Sequence, residues 1–89
     1  MEEKKVLASA IDVFGARAQE EKAIEELAEL ICAISHKHCG RSHNIAEEIA
    51  DVEIMLEQLK MINDCSEAVE EIREFKVKRL AERVFDKCL

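Results

Sequence analysis

No proline interrupts this chain, and glycine occurs only at Gly15 and Gly40. Proline and glycine are the residues that most strongly break helices, so a chain nearly free of both has few places to turn. Alanine, leucine, isoleucine, glutamate and lysine dominate the rest, and all but isoleucine rank among the better helix formers. We find no run with the two-residue alternation of a strand, no internal repeat and no low-complexity segment. Four helices are predicted. The first covers residues 2–14, with Val6, Leu7, Ala10, Ile11 and Phe14 at helical spacing, and Gly15 breaks it. The second covers 17–37, with Ile24, Leu27, Ile31 and Ile34 as its apolar stripe, and Gly40 ends it. The third covers 45–62, with Ile45, Ile49, Val52, Leu56 and Leu59 as its core face, and Asn44 with Glu47 forms the capping box. After the turn "NDCS", Ser66 reads as the cap of a last helix reaching about residue 87, with Ile72, Phe75, Leu80 and Val84 as apolar positions. The expected fold is all-α: a single domain over 1–89, an antiparallel helical bundle of three to four helices completed by oligomerisation.

The formal net charge of −7 disfavours binding to a nucleic-acid polymer. No apolar run approaches the roughly 20 residues that span a bilayer, and "MEEKK" is not followed by a signal-like segment. A cytoplasmic protein without membrane partners is expected. Cys32, Cys39, Cys65 and Cys88 show no C-x-x-C pairing and read as thiols in a reducing compartment. Cys32, His36, His38, Cys39 and His43 resemble a zinc cluster at first sight. On a helix, however, Cys32, His36 and Cys39 share one side and His38 points elsewhere, which favours ordinary surface positions.

The carboxylates are harder to place. Glu26 and Glu29 share a face roughly opposite the Ile24/Leu27/Ile31 stripe, which alone reads as a solvated helix side. Glu48 and Asp51, by contrast, fall among Val52, Met55 and Leu59 at the edge of the core stripe. Ala50, Ile54 and Met61 form a second apolar strip on nearly the opposite side, as in a helix sandwiched between neighbours. Ionised carboxylates left unpaired there cost several kcal/mol each. Lys22, Lys76 and Arg79 are candidate counterions. Two i, i+3 acidic pairs on adjacent helices also form an oxygen cage suited to a hard cation such as Mg²⁺ or Mn²⁺. The 18 residues between Glu29 and Glu48 suffice to finish one helix, turn and begin the next. A di-iron bundle would need Glu-x-x-His motifs, and no histidine follows any of these acids at that spacing.

"EELAE" (25–29) has the form E-E-x-x-E and "EIAD" (48–51) the form E-x-x-D. On these motifs the chain resembles the MazG-like branch of the all-α nucleoside triphosphate pyrophosphohydrolases, including its small phage-type members. Gln19 and "KVKRLAERV" near the end are similar to that branch as well. The resemblance implies hydrolysis of a nucleoside triphosphate to monophosphate and pyrophosphate. It implies Mg²⁺ held by Glu26, Glu29, Glu48 and Asp51, with Glu25, Glu26 and Glu29 as the catalytic carboxylates and Glu25 beside the metal set or acting as base. It further implies a homodimer or homotetramer. Lys76 and Arg79, with Gln19, are the expected substrate-binding residues, while Arg83 reads as a salt-bridging residue. The Tyr-His pair that usually follows E-x-x-D in phosphoribosyl-ATP pyrophosphohydrolases is replaced here by "VEIMLEQL". With tyrosine and tryptophan absent, stacking on a base would fall to Phe14, Phe75 or Phe85. The competing expectation is a non-catalytic helical interaction module.

Overall fold

A computed structural model describes residues 2–88 and is helical almost throughout. Its elements are α1 (Glu3–Phe14), α2 (Ala16–His38), α3 (Ile45–Ile62) and α4 (Ser66–Cys88), with no strand among the described residues. No helix is long and apolar enough to cross a membrane. The breaks fall where backbone chemistry requires them. Gly15 alone separates α1 from α2, at φ 94° and ψ 145°, a conformation side chains resist, and its N–H closes α1 on the Ile11 carbonyl at 2.8 Å. At the end of α2, Gly40 sits at φ 72° while Arg41 N–H donates to His36 O (2.8 Å) and Gly40 N–H to Lys37 O (3.1 Å). This is the paired closure of a Schellman motif. Asp64 makes the same closure after α3 at φ 48°, with Cys65 N–H donating to Lys60 O (3.1 Å) and Asp64 N–H to Met61 O (3.2 Å).

Two expected caps are corrected. The Asn44 side chain makes no capping bond; the Ile45 N–H instead meets His43 Nδ1 at 3.4 Å, and no capping box with Glu47 forms. Ser66 is already the first helical residue of α4, and the Cys65 carbonyl accepts the opening helical bond from Val69 at 2.9 Å. In both places the backbone turn positions the helix start, so a side-chain cap is not required.

The larger correction concerns which face of α2 is inside. Its buried positions are Gln19, Ala23, Glu26 and Ala33, and these lie against α3. The Ile24/Leu27/Ile31/Ile34 stripe faces outward, with Ile24 68% and Ile31 67% exposed. On α3 the buried positions are Val52, Met55 and Gln58, while Ile49 and Leu56 are exposed. Alanines at 23 and 33 leave room for the two backbones to approach closely, which larger isoleucines on that face would prevent. α1 lies across both helices and buries Leu7. A buried amide relay ties the three together. Gln19 Nε2 donates to Gln58 Oε1 at 2.8 Å, and Gln58 Nε2 donates to the Leu7 carbonyl at 3.1 Å. Gln58 is only 2% exposed, so its two hydrogen bonds offset a desolvation cost that an unpaired amide would bear in full.

α4 departs from the expected bundle. It meets α3 alone, near the turn that joins them, and touches neither α1 nor α2. Helices α1–α3 form the packed unit and α4 is an arm, giving dimensions of 52 × 37 × 25 Å.

Gly40→Ala should lower stability by about 1–2 kcal/mol, read from the urea midpoint. A methyl group there meets no neighbouring atom, so the whole effect comes from the backbone conformation. Gly40→Asn should cost less, because asparagine tolerates this conformation better.

Candidate metal centre

The amide relay sets the register in which α2 and α3 run antiparallel. Seven residues beyond Gln19 lies Glu26, and seven before Gln58 lies Asp51, so two helical turns from the relay these carboxylates face each other. One further turn places Glu29 against Glu48. Oxygens of Glu26, Glu29 and Glu48 all lie within 4.8 Å of one another. Asp51 is within hydrogen-bonding range of Glu26, as Glu29 is of Glu48. The structure therefore gathers three of the four acids singled out in the sequence into one set of oxygens, and Asp51 stands beside Glu26 outside that set. Glu26 is 9% exposed, Glu48 and Asp51 are half-buried, and Glu29 lies at the exposed rim.

Electrostatics make this arrangement unfavourable as it stands. The Glu26 carboxyl is held above its ordinary pKa of 4.5 by burial first, then by the charges of Glu29 and Asp51; the Lys22 ammonium, 3.6 Å from Oε1, opposes the shift. Glu48 is raised likewise, by burial and then by Glu29, Asp51 and Glu26. Lys22 is 54% exposed and shared with water, so it cannot balance four carboxylates. One oxygen of Glu26 and one of Glu48, Oε2 in each case, are buried with no hydrogen-bond partner. Buried polar atoms are almost always satisfied, and an orphaned carboxylate oxygen beside another can be satisfied either by a proton held between the two or by a cation. The donor set is carboxylate oxygen only, which fits Mg²⁺ or Mn²⁺ and lacks the nitrogen or sulfur that iron and zinc sites employ.

A cleft of about 360 Å³ opens beside the acids, bordered by Glu29 and Glu48 at one end and by Cys32, His36, His43 and Asn44 beyond them. Of the cysteine–histidine group, Cys32, His36 and His43 line this cleft while His38 and Cys39 do not, and the group gathers no three ligating atoms of its own among the described residues. Glu25 is exposed and stands outside the cluster, since one residue along a helix turns a side chain by about 100°. Gln19 is buried below the cluster with its amide engaged by Gln58. Lys76 and Arg79 are exposed on α4, whose lack of contact with α2 keeps them from the acids within one chain; the Arg79 guanidinium lies over the Phe75 ring at 5.8 Å. Sequence reasoning missed Gln58, and it read His43 as a member of the cysteine–histidine cluster and Asn44 as a helix cap without placing either at the cleft. The signal for Gln58 was its matched seven-residue offset from Asp51, mirroring Gln19 and Glu26.

In comparisons with known proteins, no family, no curated protein and no solved structure matched this chain.

The raised carboxyls give a pH dependence with a defined sign. Above the unfolded value of 4.5 the folded chain holds protons more tightly than the unfolded chain does, so this stabilisation is complete at low pH and is lost as pH rises through the folded pKa. In EDTA, the melting temperature should therefore rise as pH falls from about 7 to about 5. Glu26→Gln should flatten that slope; an unchanged slope in the variant would refute the assignment. Added Mg²⁺ should raise the melting temperature most at neutral pH, where the acids are ionised.

Proposed function

We propose that this chain is a Mg²⁺-dependent nucleoside triphosphate pyrophosphohydrolase that converts a (d)NTP to the monophosphate and pyrophosphate. The observation that carries the reading is the nine-tenths-buried Glu26, whose unpartnered oxygen sits in a three-carboxylate cluster with Glu29 and Glu48, drawn from both acidic motifs. Resemblance to the MazG-like enzymes supplies the reaction; the cluster and its cleft are the features compatible with it. Manganese is an alternative ion on the same donors. The free thiols of Cys32, Cys39 and Cys65 agree with work in the cytoplasm, where thiols stay reduced.

In this reading Glu26, Glu29 and Glu48 hold the ion between the helices, with Asp51 beside Glu26, anchored by the Gln19–Gln58 register. When bound, the ion supplies positive charge to the triphosphate and makes a nearby water more acidic. Glu29 borders both the cluster and the cleft, so it is the carboxylate placed to take a proton at the substrate side. The cleft beyond it, lined by His36, His43 and Asn44, offers polar groups to a phosphate or sugar. Glu25 lies outside this set, and the acids alone repel a polyanion, so hydrolysis depends on the divalent ion. The second reading is a helical interaction module without catalysis. It draws on the outward apolar faces of α2 and α4.

A panel of dNTPs assayed for pyrophosphate with Mg²⁺, then with EDTA, separates the two readings. Glu29→Gln and Asp51→Asn should each lower release by about 10²-fold or more while helical content is retained. Cys32→Ser and Cys39→Ser should leave it largely intact. Full activity in either carboxylate variant, or activity unaffected by EDTA, would sink the proposal.

A further inference from the structure

The two ends of the cleft beside the acids differ in chemistry. Glu29 and Glu48 border the near end, where the buried Oε2 atoms of Glu26 and Glu48 have no hydrogen-bond partner. The far end is bordered by His36, Ser42, His43 and Asn44, with no carboxylate among them. Its volume of about 360 Å³ is in the range that takes small molecules. A phosphate chain fits such a division. It needs a divalent ion on the carboxylates at one end and N–H or O–H donors at the other. Within one chain α4 does not touch α2, so Lys76 and Arg79 leave the second need unmet.

One donor at the far end is held in place. His43 Nδ1 accepts from the Ile45 N–H at 3.4 Å, where the Asn44 side chain makes no capping bond. Among the described residues no hydrogen bond holds the side chains of His36, Ser42 or Asn44. In a neutral imidazole one nitrogen accepts and the other donates. With Nδ1 accepting, the proton lies on Nε2, and the exposed ring keeps that donor for a ligand. We propose that His43 contacts the substrate, its Nε2–H donating to a phosphate oxygen of the bound nucleoside triphosphate while the Ile45 N–H fixes the ring. This rests on the pyrophosphohydrolase reading and names the residue that grips the phosphate chain away from the ion. Phosphates are common to all nucleotides, so the contact serves every base alike.

Asparagine and glutamine separate the two edges of the ring. An asparagine oxygen can take the place of Nδ1, and a glutamine amide nitrogen that of Nε2. Calorimetry with inorganic pyrophosphate and Mg²⁺ reads the contact without turnover. His43→Asn should keep the Ile45 amide protected from exchange yet weaken pyrophosphate binding by about 10-fold or more. His43→Gln should speed Ile45 exchange yet recover binding to within about threefold of wild type. In His43→Asn the KM should rise by about the same factor for every dNTP, with kcat changed less. Nitrogen NMR of the free protein in mildly alkaline buffer should show the Nε2-protonated ring. A ring that only caps α3 would reverse the order, making glutamine the weaker binder. That order, unchanged binding in His43→Asn, no pyrophosphate binding by the wild type, or a proton on Nδ1 would overturn the proposal. Binding in the expected order without hydrolysis of any dNTP supports the contact and removes the hydrolase reading. Hydrolysis with KM unchanged in His43→Asn overturns the contact and leaves that reading standing.

Discussion

The hydrogen bond between two glutamine side chains holds the register on which everything else depends. Gln19 and Gln58 are buried, and neither amide can be left unpaired without a desolvation cost. Sliding α3 by one residue would break that bond and the Gln58 bond to Leu7 together. It would also turn Asp51 and Glu48 away from Glu26 and Glu29. A polar contact in an otherwise small core thus contributes specificity more than net stability, because an apolar pair in its place would tolerate several registers.

That core is thin. Leu7, Ala23, Ala33, Val52 and Met55 are its buried apolar members, and two of the five are alanines. Small side chains let α2 and α3 come close, and the close approach puts carboxylates from two helices within reach of one another. The same choice leaves the bulky aliphatic side chains outside. Stability and site are therefore in tension within one protomer: the face that holds the acids cannot also hold the isoleucines.

The helices themselves were legible because the breakers are so few. Gly15, Gly40 and the turn around Asp64 mark the three internal breaks between helices, and each is a local feature of the chain. The acidic pairs were legible too, since i, i+3 spacing puts two side chains on one face whatever that face meets. The orientation of α2 was not. Ranking faces by hydrophobicity assumes that the most apolar face packs within its own chain, and Ile24 and Ile31 break that assumption. Gln58 was hidden for a related reason: a glutamine on a helix reads as surface until its partner's position is known. The course of α4 was equally hidden, because a short turn fixes where a helix begins but not what it crosses.

Gly15 carries a mechanical consequence. A single residue joins α1 to α2, and nothing crowds it from outside. The direction of α1 is therefore set by two torsion angles at one end and by the Leu7 carbonyl's bond to Gln58 near the middle. A rod of 12 residues is about 18 Å long, so a 10° change at Gly15 would carry its far end about 3 Å. The Leu7 contact is the pin that stops this lever, and it bears on the same glutamine that aligns the acids. Any force on the N-terminal rod is thereby delivered to the register of α2 against α3.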